Sequence, residues 1–286
     1  MYQDDPHPLP EAMHARVLDE LQRIEREHEV NVLYACESGS RAWGFASPDS
    51  DYDVRFVYVP RNDWYLRVDE PRDVIERPLC DELDISGWEL RKALRLMRGA
   101  NPSLLEWLGS PLVYRADAEA TGRLRELGEA FYSPRAVRHH YLSMARKNLR
   151  GYLMGETVRF KKYLYVLRPL LAVRWIDQGL GMPPTAFAAL MARTVDDPRL
   201  QAAIDALLVV KRRSGEAEHG PRDEVLHGFI EAELARAGEA REVPVTRGDT
   251  GLLDDFLRDT VRHATSRAGR AATAPRVRSP VSRPPP

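Results

Sequence analysis

GSRAWGFASPDSDYDVRFVYV, residues Gly39–Val59, is the stretch that decides how this chain reads. Its second half, Asp53 to Val59, is rich in β-branched and aromatic residues and is closed by Pro60, which marks a strand. Just upstream, Asn31 to Cys36 carries Val32, Leu33 and Tyr34 and reads as a short buried strand, with Ser38, Gly39 and Ser40 punctuating its end. Glycine allows close approach of the backbone, and Arg41, Ala42 and Trp43 can open a short helix behind it. A strand-to-helix turn with exposed amides attracts anions, because unpaired N–H groups and the helix dipole point at the same place. Ser40 adds a hydroxyl there and Arg41 a positive charge.

The chain then loops through Ser47-Pro48-Asp49-Ser50 and enters the next strand with Asp51 and Asp53. Residues i and i+2 of a strand share a face, with attachment points about 7 Å apart. Two carboxylates so placed beside a phosphate cradle suit Mg²⁺, which takes oxygen ligands and keeps waters that substrate phosphates replace. A third acid from a neighbouring strand would complete a two-metal site, and Asp84, flanked by Leu83 and Ile85, is the candidate. An acid in an apolar strand is costly to bury without a cation. A lone Gly-Ser or a lone Asp-x-Asp means little; their order on successive strands is the restrictive feature. Asp49 reads as a loop residue helping the turn, and Glu37 as a solvated neighbour.

Outward from this stretch, Glu11 to Val30 shows Met13, Val17, Leu21 and Ile24 at helical spacing. Further strands are expected at Val74-Ile75 and Glu82–Ile85, with a helix from Trp88 to Met97. From Asn101 the pattern turns helical, with helices expected at 103–108, 119–129, 134–154, 158–178, 184–193, 198–212, 223–237 and 251–263. Strands in the first third and helices afterwards predict an α+β protein. The expected division is a small mixed β-sheet domain at 1–115 that carries the site, an all-helical domain at 116–264, and a disordered basic Pro/Arg-rich tail at 265–286.

Composition narrows the setting. The formal net charge is -1, so any polyanion site must be local. Cys36 and Cys80 are too few for a disulfide framework and read as buried thiols in a reducing compartment. No apolar run approaches the roughly 20 residues that span a bilayer, and the first residues lack a signal-peptide pattern. A soluble cytoplasmic protein with no membrane partner is expected.

The Gly39-Ser40 and Asp51-x-Asp53 arrangement resembles the signature of the DNA polymerase β-type nucleotidyltransferase superfamily. More narrowly it is similar to the nucleotidyltransferases associated with bacterial RNA repair, the RlaP family, whose GS-x-A-x-G and SDYD segments appear here as Gly39–Gly44 and Ser50–Asp53. Asn101–Tyr114 and Lys161–Trp175 resemble that family as well. The resemblance implies a small mixed sheet backed by helices, with Ser40 and nearby backbone on the β,γ-phosphates of an NTP (ATP among the donors). Asp51 and Asp53 would hold two Mg²⁺ ions, with Mn²⁺ as a substitute, and Asp84 would share a metal and help deprotonate the attacking hydroxyl. The implied product is a nucleoside monophosphate on an acceptor hydroxyl, an RNA end by the family's setting, with pyrophosphate released. Transfer to a protein or small molecule, toxin-like activity included, and a non-catalytic nucleotide-sensing module are the alternatives. Neither the preferred NTP nor the oligomeric state is legible.

In the helical part, Lys161, Tyr165 and Arg168 fall at i, i+4 and i+7, a cationic-aromatic stripe able to meet a triphosphate or a base, or simply an exposed face. Pro169 is expected to kink or break that helix. Arg135, Arg138, His139, His140, Arg146, Lys147 and Arg150 suit either a polyanion groove or a solvated face. Glu106-Trp107 and Ser110-Pro111 read as a lock at the domain junction. Lys211-Arg212-Arg213 reads as a cation cluster favoured by a helix C-terminal dipole.

Overall fold

In the computed structural model, residues 9–77, 82–213, 219–239 and 248–273 are described, with side chains in the last segment as far as 264. Helix α1 (Glu11–His28) buries Met13, Val17, Leu21 and Ile24 and stops at Glu29, whose left-handed backbone (φ 51°) turns the chain into strand β1 (Val30–Glu37). A short helix α2 (Gly39–Trp43) leads to strand β2 (Tyr52–Pro60). After the one-turn helix α3 (Asn62–Tyr65) come strands β3 (Val74–Glu76) and β4 (Leu83–Glu89). Strand β4 runs four residues further than its apolar pattern suggested, because Glu89 caps the following helix α4 (Leu90–Arg98) by accepting the amides of Arg91 and Lys92. Helix α5 (Pro102–Leu108) then returns the chain to a strand absent from the sequence reading, β5 (Val113–Ala116).

These strands form one mixed sheet in the order β3-β4-β2-β1-β5. β2 and β4 run parallel, and the other neighbours are antiparallel. The fold is α+β, as expected. Alternation sends Val54, Phe56 and Tyr58 of β2 to one face, where they meet α1. Val57 and Val59 point to the other face, against Leu90 and Leu94 of α4.

The remaining described residues are mostly helical: α6 (Ala118–Ala130), α7 (Pro134–Tyr152), α8 (Phe160–Asp177), α9 (Phe187–Thr194), α10 (Pro198–Arg213), α11 (Glu224–Gly238) and α12 (Thr250–Thr273). Two three-residue strands interrupt them, β6 (Thr157–Arg159) before α8 and β7 (His219–Pro221) before α11, paired antiparallel with Val158 opposite Gly220. Val158 and Arg159 thus extend where helix was expected. Their partner lies about 60 residues away, beyond the reach of a local pattern.

Helix α8 is buried on nearly every side and is the axis round which α7, α9, α10 and α11 pack. It continues through Pro169 without a break. Proline cannot donate to the carbonyl four residues back, and that carbonyl, Tyr165 O, accepts from Asn148 Nδ2 of α7 at 3.0 Å instead. Helix α12 packs with its Leu253, Phe256 and Val261 in the core beneath the sheet, together with α4 and α6. It continues to Thr273, ten residues past the end expected at His263. The rest of the expected tail, 274–286, lies outside the described residues, as does Cys80. Cys36 is a buried free thiol, and burial is the main cause pushing its pKa up to about 12. Among the described residues no helix is long and apolar enough to cross a membrane.

Candidate active site

The Gly-Ser turn lies where β1 ends, beside the start of β2. Ser38 N donates to Asp53 O at 2.8 Å, which fastens the turn to the neighbouring strand. Gly39 takes φ +59°, and a Cβ built there would stand 2.1 Å from Asp53 Oδ2. Only glycine fits, because the backbone is left-handed and a carboxylate occupies the side-chain position. Helix α2 follows and is closed by Gly44 (φ +86°), whose amide donates to Arg41 O at 3.1 Å. Ser40 is mostly covered, and its carbonyl accepts Phe45 N at 3.0 Å.

Arg41 does not offer its charge to an open cradle. It is buried, donates from Nη2 to Ser50 O at 2.8 Å and from Nε to Asp51 O at 3.3 Å, and stacks 3.7 Å over the Tyr52 ring. Its guanidinium therefore braces the loop that leads into β2. Asp49 is exposed at the tip of that loop, in keeping with a turn residue.

Asp53 and Asp84 are register partners on the parallel strands β2 and β4. Arg55, two residues on from Asp53 and so on its face, reaches both: Nη2 lies 2.9 Å from Asp53 Oδ1 and 2.7 Å from Asp84 Oδ2. Asp51 is exposed and sits one residue before β2 rather than inside it. Among the described residues no three acidic, histidine or cysteine side chains are arranged to hold a metal ion as they stand. The donors nevertheless suit a hard divalent cation. Two carboxylates meet beside a glycine turn, and a cationic nitrogen already bridges them.

Glu37, expected to be solvated, is fully buried. Its Oε1 accepts Asp53 N at 2.8 Å, its Oε2 accepts the Tyr114 hydroxyl of β5, and its carbonyl accepts Ser110 Oγ at 2.6 Å. Burial pushes its carboxyl pKa up to about 7 against the pull of these bonds. Its apolar neighbours Ala35 and Cys36 were the available signal for burial, and the strand's charged end concealed it.

Of the stripe on α8, Arg168 is enclosed. Its Nη1 lies 2.7 Å from Glu106 Oε1, its Nη2 donates to Thr185 O at 3.2 Å, and its guanidinium lies 4.5 Å over Trp43. The helix is wrapped by neighbours, so the face carrying i+7 turns inward and this charge serves the packing. Tyr165 meets Trp43 edge-on at 5.7 Å, and Lys162 lies 5.0 Å over the Tyr165 ring. Lys161 is half-buried at the start of the same helix. Glu106 also accepts Trp43 Nε1 at 3.2 Å and the Tyr141 hydroxyl at 2.6 Å. Glu106 is thus a carboxylate joining α2, α5, α7 and α8.

On α7, Arg138 is paired at 2.7 Å with Asp177, whose side chain is covered, whereas Arg135, Arg146, Lys147 and Arg150 face solvent. Lys211 departs from its expected role. It is 4% exposed, with its ammonium 2.5 Å from Ser47 Oγ and 3.3 Å from Ser50 Oγ.

Residues 13–259 match the model of the RlaP family, described as the RNA repair pathway DNA polymerase beta family. A Bacillus subtilis (strain 168) protein described as the uncharacterized protein YcgL is 48% identical over 259 residues, covering 90% of this chain and all of its own. The crystal structure of a nucleotidyltransferase-like protein from Exiguobacterium sibiricum 255-15 aligns with 93% of this chain and 81% of its own, at 14% identity and a TM-score of 0.30.

Proposed function

The chain belongs to the RlaP family, the RNA repair pathway DNA polymerase beta family, and from that premise we propose that it transfers a nucleoside monophosphate from an NTP to the hydroxyl of an RNA end, releasing pyrophosphate. The observation that carries this reading is the pairing of Asp53 with Asp84 across β2 and β4, with Gly39 of the Gly-Ser turn packed on Asp53.

Asp51, Asp53 and Asp84 would hold Mg²⁺ or Mn²⁺. Divalent ions in such a setting supply an activated hydroxyl and neutralise charge on the leaving oxygen. The residues' own work is positional. Gly39 leaves room for the Asp53 carboxylate, and Ser40 beside it would meet phosphate oxygens. Arg41 holds the loop that carries Asp51, and Glu37 holds the amide of Asp53. Asp84 would take the proton of the attacking hydroxyl. Lys161 and Tyr165, the latter against Trp43, would meet the nucleotide from the helical side. In-line phosphoryl transfer needs little from a protein beyond such placement and charge.

The test is incubation of the protein with each labelled NTP and Mg²⁺ against RNA ends, tRNA, protein and small hydroxyl compounds. Label should pass to RNA and be lost with Asp53→Ala and with Asp84→Ala. Label on a protein or a small molecule would replace the RNA acceptor. NTP binding without transfer or pyrophosphate release would leave a nucleotide sensor in place of an enzyme.

A further inference from the structure

We propose that Lys211 is a positioning residue for the acidic end of β2, a buried ammonium through which the helical layer sets the turn that delivers Asp51. The proposal rests on the reading of Asp51 as a metal ligand. Lys211 lies in the last turn of α10, where a cation offsets the helix dipole equally well from the surface. It is instead 4% exposed, a placement that costs desolvation and side-chain freedom.

What receives it is the Ser47-Pro48-Asp49-Ser50 turn. Ser47 and Ser50 are 0% and 1% exposed. Ser47 N donates to Ser50 Oγ at 2.9 Å, Ser50 N donates to Ser47 O at 3.0 Å, and the two hydroxyl oxygens are 2.9 Å apart. An ammonium can only donate, so both oxygens accept from Lys211. Arg41 of α2 also donates to Ser50 O at 2.8 Å and Asp51 O at 3.3 Å. Two cations hold the turn, one beside the Gly-Ser segment and one from a helix more than 160 residues downstream. The next residue after this turn is Asp51. Without the ammonium the turn keeps its internal bonds and loses its anchor to α10, so Asp51 loosens relative to Asp53 and Asp84.

The experiment compares the full-length protein with Lys211→Met, which keeps the apolar stem, and with Ser47→Ala/Ser50→Ala. Mn²⁺ affinity without nucleotide is read by electron paramagnetic resonance, next to thermal melting and, with NTP and acceptor, kcat and KM. Lys211→Met is expected to weaken Mn²⁺ binding and lower kcat, each on the order of tenfold, with KM for NTP little changed. The serine pair should reproduce the loss, and adding Lys211→Met to it should cost no more, because both act through one linkage. Lys211→Arg should recover part of the affinity. Wild-type Mn²⁺ affinity in a folded Lys211→Met protein, or in the serine variant if Lys211→Met does not fold, overturns the proposal. A wild-type protein that binds no Mn²⁺ overturns the metal-dependent reading and the proposal together.

Discussion

Asp53 and Asp84 stand side by side as register partners across the parallel β2–β4 ladder. Two carboxylates on one sheet face repel unless a cation lies between them, and Arg55 supplies it at 2.9 and 2.7 Å. Arg55 and a divalent ion compete for the same charge. Arg55→Met should therefore bind Mn²⁺ more tightly than wild type, by roughly fivefold after allowance for solvent screening. A Mn²⁺ titration decides it; weaker binding would make Arg55 a support for the ligands rather than a rival.

Gly39→Ala places a methyl group where Asp53 Oδ2 now lies, on a backbone at φ +59°. Strain of about 1–2 kcal/mol and a displaced carboxylate are expected. The melting temperature should fall by only a few degrees while nucleotidyl transfer falls roughly 100-fold or more. Equal losses of fold and activity would contradict this.

Glu37 makes stability fall toward neutral pH. Its folded pKa, about 7, is raised above the ordinary 4.5 chiefly by burial, so the folded state binds the proton over that interval. The stability this contributes is fully present below about 4.5 and is lost as pH rises through about 7. The full loss is on the order of 3 kcal/mol. Urea unfolding between pH 5 and 8 should show the decline in wild type and a flatter profile in Glu37→Gln.

Glu106 and Arg168 form a buried ion pair at 2.7 Å that also engages Trp43 and Tyr141. Removing one charge strands the other. Arg168→Met should cost about 3–5 kcal/mol in chemical denaturation. Arg168→Met/Glu106→Gln should recover a good part of that cost, since no ion is then left alone.

Much of this molecule can be read from local pattern. The β-branched run after Asp53, the glycine before Ser40 and the period of Met13, Val17, Leu21 and Ile24 each depend on neighbours a few residues away. The α+β class, the Gly-Ser turn and the placement of Asp84 in an apolar strand follow from the same signals. β5, the β6–β7 pair and the return of α12 beneath the sheet were not legible. Short segments take their conformation from distant partners, and an amphipathic face says that a helix packs without saying on what.

The Gly-Ser and Asp-x-Asp segment was determined by sequence alone, because turn chemistry and strand alternation are local properties of the backbone. The register of Asp84 with Asp53, the cation between them and the burial of Glu37 were decided only by the tertiary structure. So were the enclosure of Arg41 and Arg168 and the reach of Lys211 to Ser47. Each of these is a contact between segments far apart in the chain. Whether a charged side chain there meets water, a ligand or a partner depends on which surfaces close over it.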